Sequence, residues 1–135
     1  MSEFQAAGAE VVAVSTDSKF SHKAWAEVPR NKGGIAGVNI PIMADFNKTM
    51  SRDYGVLKED LGAAYRGTFI IDADGVVQAE AVNNLGIGRD VDDILRTLLA
   101  AQESKKGVVC PLNWRKGKDA INPKEAAKYF EKNAK

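Results

Sequence analysis

The chain is poor in the residues that make covalent and metal cross-links. Its 135 residues include one cysteine and one histidine. A single cysteine excludes an intrachain disulfide. With only His22 to assist Cys110, a cysteine-built zinc site is excluded as well. A strong charge of either sign is also missing. Nineteen basic and eighteen acidic side chains leave a formal charge of +1, which gives no long-range field to recruit nucleic acid or an anionic membrane. Long apolar runs are absent. "EVVAVS" and "TFIID" fall far short of the ~20 residues that span a bilayer. "MSEFQAAGAE" lacks the basic start and apolar stretch of a secretory signal. Together these place the expected compartment in a reducing, intracellular space, taken here as the cytoplasm.

What is present reads as an ordinary globular domain. Hydrophobic residues make up 44% and charged residues 27%, near the averages for folded chains. "AEVVAVS" (9–15) is a short β-branched run and predicts a buried strand. Asp17 and Ser18 are cap candidates for a helix from Phe20 to Val28. Phe20, Ala24, Trp25 and Val28 fall on its apolar face, and Pro29 ends it. "RNKGGIAGVN" is a glycine-rich loop. "IPIMADF" (40–46) predicts a second strand, with Pro41 tolerated only at its start. Asn47 is the expected cap of a short helix holding Met50 and Tyr54, and Gly55 its stop. "YRGTFIID" and "GVVQAEAV" flank "DADG", a β-hairpin pattern. "RDVDDILRTLLAAQESKK" is the clearest helix. Val91, Ile94, Leu95 and Leu98 form its stripe, with acids early and lysines late.

After residue 106 the periodicity fades into an extended arm and a short terminal helix, "PKEAAKYFEKNA", with Pro123 in its first turn. The order of elements predicts an α/β class, a sheet with helices on its faces. The start, "SEFQAAGAE", offers only about two helical turns before the first strand.

Several stretches resemble one family. "YGVLKEDLGAAYRGTFIIDADG", "NNLGIGRDVDDILRTL", "VVCPLNW", "STDSKFSHKAW" and "NIPIMAD" are similar to the typical two-cysteine peroxiredoxins, over almost the whole chain. The resemblance implies a thioredoxin-like fold of the peroxiredoxin type. It implies thioredoxin-dependent reduction of hydrogen peroxide and organic hydroperoxides. In that family a peroxidatic cysteine, in a Pro-x-x-x-Thr-x-x-Cys motif, is oxidised to a sulfenic acid. A resolving cysteine near the C-terminus of the partner subunit then condenses with it. Cys110 matches the resolving cysteine. Arg66 matches the arginine that stabilises the thiolate and the peroxide, and Arg89 a second arginine that orients the pocket. No stretch here matches the peroxidatic motif.

The expected organisation is therefore an N-terminally incomplete peroxiredoxin domain over 1–106, followed by an arm over 107–135. "SEFQAAG" would be the last turns of the peroxidatic helix, and Val11, Val12 and Ile70 would be left uncovered. The resemblance implies no cofactor and no metal. It implies a homodimer or decamer through the "GVVQAEAV" edge strand, a thioredoxin or similar dithiol as reductant, and a peroxide as substrate. "GGIAG" (33–37) and Tyr129–Phe130 match two elements that pack together in overoxidation-prone members, although Ala36 replaces a glycine. His22 and Trp25 are expected to pack rather than catalyse. The isolated chain is expected to show no peroxidase turnover. The alternative is an inactive, shortened paralogue that joins full-length subunits.

Overall fold

A computed structural model describes residues 1–134. They form two compact units. One combines Met1–Gly67 with Ala81–Gly88, the other Thr68–Glu80 with the chain from Arg89 onward.

The first unit begins with helix α1 (Ser2–Ala6), whose Phe4 is buried. Strand β1 (Ala13–Ser15) pairs in parallel with β2 (Ile42–Ala44). Both strands are shorter than the apolar runs that predict them. Pro41 sits just before β2, where its missing N–H costs no ladder bond, and its carbonyl accepts from Ala13 N at 3.0 Å. Strand alternation places Val12, Val14 and Met43 on one face. That face is exposed, whereas Ala13 and Ile42 are half-buried and α2 packs on β2. The expected buried strand is thus covered on one side only.

Helix α2 (Lys19–Glu27) starts at Ser18, whose hydroxyl accepts from Ser21 N at 3.2 Å. It ends at Val28, extended as the residue before a proline must be. Its expected apolar face is not its buried face. Phe20 is 73% exposed, and the buried residue is His22. Neither ring nitrogen of His22 has a hydrogen-bond partner among the described residues, a cost of about 1–3 kcal/mol. Trp25 holds the glycine loop: its indole N–H donates to the Gly33 carbonyl at 2.9 Å.

Helix α3 (Thr49–Asp53) corrects the expected cap. Lys48, at φ 64°, bends the chain so that the buried Asp45 carboxylate reaches Met50 N at 3.0 Å and Ser51 N at 2.7 Å. Asn47 accepts only from Thr49 N, at 3.3 Å. Burial penalises the Asp45 carboxylate, but the bonds to Ser51 and Met50 outweigh that penalty, and its pKa is lowered. A cap of this kind stabilises by about 1 kcal/mol. A short antiparallel ladder, β3 (Leu57–Lys58) with β4 (Ala63–Ala64), follows in a stretch to which the sequence pattern assigns no element.

The predicted hairpin is present as β5 (Arg66–Ile71) and β6 (Val77–Asn83). Among the described residues the strands form three two-stranded ladders, where the pattern predicts one sheet. Asp72 organises the hairpin turn. One carboxylate oxygen accepts from Asp74 N (2.9 Å) and Val76 N (3.1 Å); the other accepts from Gln78 and from Lys105 Nζ (2.9 Å). The Lys105 ammonium, then the turn amides, hold the Asp72 pKa down at about 2, from an ordinary 3.8. A depressed carboxylate stabilises the fold above its unfolded pKa and loses that effect as the pH falls through the folded value. Asp72→Asn is therefore expected to lower the urea midpoint at pH 7. The gap to wild type should close between pH 4 and pH 2, as urea melts at several pH values would show.

Helix α4 (Val91–Ser104) is the longest element, capped by Asp90 accepting from Asp93 N at 3.0 Å. Ile94, Leu95 and Leu98 are half-buried as the stripe predicts, but Val91 is exposed. The arm is not merely extended. Val109 and Ile121 exchange two backbone hydrogen bonds of 2.8 Å and close a loop that contains Trp114, which is 4% exposed. A short 3-10 turn (Pro123–Glu125) leads into α5 (Ala126–Asn133), where Tyr129 and Phe130 meet edge to face.

The core is thin. Only Phe4, Val56 and Trp114 are buried apolar side chains among the described residues, and no side chain is fully buried. The chain exposes 9836 Å², where roughly 6,900 Å² is usual for a compact monomer of this mass.

Candidate functional site

Arg66 belongs to the first unit, Arg89 and Cys110 to the second. Each is anchored separately. Arg66 opens β5, and its Nε donates to the Leu85 carbonyl at 3.1 Å. That bond uses one of five donors in a rigid, permanently charged fork. The side chain is exposed, so a planar, preset cation is presented to solvent. Arg89 precedes α4, and its Nε donates to the Thr68 hydroxyl at 3.0 Å. This ties the start of α4 to strand β5.

Cys110 is half-buried against α4. Gly107, at φ 83°, reverses the chain after the helix. A side chain at that position would be strained. The reversal returns Cys110 to the last turns of α4, where Sγ–H donates to the Ala100 carbonyl at 3.7 Å. The position is the neck of the Val109–Ile121 loop. Its environment does not make a thiolate. Burial raises the Cys110 pKa, the Glu103 carboxylate raises it further, and Arg96 opposes both. The resting group is a neutral thiol.

Sequence reasoning finds Cys110 but misses what surrounds it. Arg96, Ala100 and Glu103 lie four and three residues apart, so they form one stripe of α4. That spacing is the available signal, although it does not reveal that the arm folds back onto the stripe. Trp114 is missed for a similar reason. Its role rests on an indole N–H donated to the Lys118 carbonyl at 3.1 Å, a bond with no sequence period. Among the described residues no group of three or more His, Cys, Asp or Glu side chains is placed to hold a metal ion. No helix among them is long and apolar enough to cross a membrane.

Residues 1–80 match the model of the AhpC/TSA family, and residues 102–132 match that of the C-terminal domain of 1-Cys peroxiredoxin. The chain is 49% identical to peroxiredoxin tpx1 of Schizosaccharomyces pombe, over 97% of its own length and 69% of the relative's. The chain belongs to the peroxiredoxin family. It is 48% identical to peroxiredoxin-2 of Rattus norvegicus, over 96% of this chain and 67% of that one. The crystal structure of reduced Plasmodium vivax 2-Cys peroxiredoxin superposes with a TM-score of 0.91 at 42% identity, covering 96% of this chain and 68% of that one. A mitochondrial 2-Cys peroxiredoxin from Plasmodium falciparum gives 0.78 at 40% identity, covering 82% of this chain and 66% of that one. The fold is therefore the thioredoxin-like α/β fold of the peroxiredoxins, and peroxide reduction is the chemistry of the family.

Proposed function

We propose that this chain serves thioredoxin-dependent reduction of hydrogen peroxide and organic hydroperoxides as the donor of the resolving thiol, Cys110. The observation that carries the reading is the environment of that sulfur. A peroxidatic cysteine must be a thiolate at neutral pH, in an electropositive setting. Cys110 is held in the opposite state, on the Ala100 carbonyl, with burial first and the Glu103 charge second raising its pKa. Such a thiol suits the second step of the cycle.

In the first step a peroxidatic thiolate attacks the terminal peroxide oxygen. An S–O bond forms, the O–O bond breaks, and the departing alkoxide or hydroxide takes a proton. Arg66 is the group suited to that thiolate and to the charge on the departing oxygen. In the second step the Cys110 sulfur attacks the sulfenic sulfur. An S–S bond forms, and the hydroxyl leaves as water with the Cys110 proton. A thioredoxin-like dithiol then supplies two electrons to open the disulfide. Arg89 steadies β5 through Thr68.

The partner is a peroxiredoxin subunit, met through the open edge of β6 in a dimer that can extend to a decamer, in the cytoplasm. The surface excess supports association, because a stable interface removes about 1,200–2,000 Å². It equally favours a second reading, in which the chain is an inactive subunit that only associates.

One experiment separates them. The chain is mixed with a full-length two-cysteine peroxiredoxin and hydrogen peroxide, then run on a non-reducing gel. A mixed disulfide lost in Cys110→Ser supports the resolving role. Association without a disulfide supports the second reading. Alone, with peroxide and a thioredoxin system, the chain is expected to consume no peroxide. Consumption abolished by Arg66→Ala would overturn that expectation.

A further inference from the structure

The formal charge of +1 hides a division along the chain. Residues 1–104 carry ten basic and fifteen acidic side chains, and residues 105–135 carry nine basic and three acidic. Within that basic segment the loop closed by Val109 and Ile121 folds as two successive turns. Trp114 N donates to the Pro111 carbonyl at 3.0 Å, and Lys118 N to the Arg115 carbonyl at 2.9 Å. The third residue of each turn is left-handed, Asn113 at φ 59° and Gly117 at φ 87°, a conformation that both residue types accept. Buried Trp114 joins the turns, and its indole bond to the Lys118 carbonyl ties the second one down. The first turn carries Leu112, 92% exposed and the most exposed large hydrophobic side chain among the described residues. The second carries Arg115, Lys116 and Lys118, all exposed. Among the described residues no carboxylate pairs with any of these three. Asp119 and Glu125 of the arm pair with Lys132 and Lys128 instead. Asp90, Asp92 and Asp93 share a recess with Arg115 and Lys116, but Asp93 is held by Arg96 and Asp90 by the Asp93 amide.

We propose that this double turn is a docking surface for an anionic lipid membrane, with Leu112 entering the headgroup layer and Arg115, Lys116 and Lys118 resting on the lipid charges. A lone exposed leucine is ordinary on a protein surface. Set on a rigid turn beside three cations that no carboxylate pairs, it supplies the combination of apolar tip and basic collar that holds a protein at a bilayer interface. The turns are closed before contact, so little ordering entropy is lost on docking. Such a surface acts within a Debye length of about 8–10 Å, so a net charge near zero over the whole chain does not cancel it. Nucleic acid would engage the cations through its phosphates but give Leu112 no apolar place to enter. An acidic protein would need a pocket matched to that tip, whereas a headgroup layer yields to it. The inference does not depend on the role of Cys110. It brings a peroxide-reducing family member to the acyl chains, where organic hydroperoxides form.

The test is cosedimentation of the full chain with phosphatidylcholine vesicles, made with and without phosphatidylserine. Binding is expected only where phosphatidylserine is present, and it should weaken as salt is added. Each cation at an anionic surface is worth about five-fold in affinity, so Arg115→Gln, Lys116→Gln and Lys118→Gln together should weaken binding roughly 100-fold. The same change at Lys19, Lys23 and Lys32, exposed residues of the first unit, removes equal charge and should leave most of the binding intact. Leu112→Ser should weaken binding several-fold. Leu112→Trp should strengthen it, with a blue shift of the tryptophan emission when vesicles are added. All of these side chains are exposed, so the variants should fold as the wild type does, which circular dichroism checks. If Leu112→Ser binds as the wild type, the patch reads charge alone, and an acidic protein or a nucleic acid takes the membrane's place. That result overturns the proposal, as does a wild-type chain that ignores phosphatidylserine, or an equal loss in the Lys19, Lys23 and Lys32 variant.

Discussion

Gly34→Ala is expected to cost about 3 kcal/mol or more, a large share of what holds the first unit folded. A β-carbon at Gly34 would lie 1.9 Å from the Val28 carbonyl oxygen and 2.4 Å from Val28 Cβ. Neither neighbour is the movable end of a side chain, so the loop itself must shift. It is held by Gly34 N to the Pro29 carbonyl and Ala36 N to the Val28 carbonyl, both 3.1 Å, and by Trp25 Nε1 to Gly33 at 2.9 Å. Arg30 Nε to the Ala36 carbonyl, at 3.0 Å, closes it. Overpacking costs 1–3 kcal/mol, and each lost hydrogen bond adds about 1. A domain with 5–15 kcal/mol in total has little room for that. Gly86→Ala is the control, since nothing lies within 4 Å of its β-carbon position. Urea melts followed by circular dichroism should separate the two by about 1–3 M in midpoint. Coincident melts would show that the loop yields freely.

Trp114→Ala is the second large effect, and its site is local. Removing a buried tryptophan costs about 3–5 kcal/mol. Here the loss falls on the Val109–Ile121 loop, to which the ring is tied by its bond to the Lys118 carbonyl, so the loop is expected to open before the rest of the unit does. A cost of 3 kcal/mol raises the open population roughly 100-fold. Val109 and Ile121 amides should lose hydrogen-exchange protection to that extent, and iodoacetamide should reach Cys110 correspondingly faster. Trp114→Phe, which keeps most of the apolar volume but loses the N–H to Lys118, should fall between. Unchanged protection at Val109 would mean the two backbone bonds close the loop without the ring.

The elements legible in the sequence were those with a sustained pattern. The β5–β6 hairpin and α4 follow from alternation, a turn signal and a fourteen-residue stripe. The face of α2 did not. Phe20 and Trp25 mark the side that seeks cover, and an apolar stripe does not report whether this chain supplies it. The α3 cap departs from the pattern because a left-handed Lys48 lets Asp45, rather than Asn47, reach the amides of Met50 and Ser51, a bend that no lysine advertises. At the site, the identities of Cys110, Arg66 and Arg89 were legible through resemblance. Their settings were not. The Cys110–Ala100 contact depends on a chain reversal at Gly107, and Arg66 is fixed by a backbone carbonyl nineteen residues away. Both partners are main-chain oxygens, which every residue offers alike.

The scarcity of buried apolar side chains also governs how stability varies with temperature. The heat-capacity change of unfolding comes mainly from newly exposed apolar surface. The surface left outside by this fold has already made its contribution in the native state, leaving about a fifth less to expose than in a compact monomer of equal mass. The stability curve is therefore expected to be flat, with cooling adding little, warming removing stability gradually and a broad calorimetric transition. A partner that covers the exposed β1–β2 face would sharpen that transition.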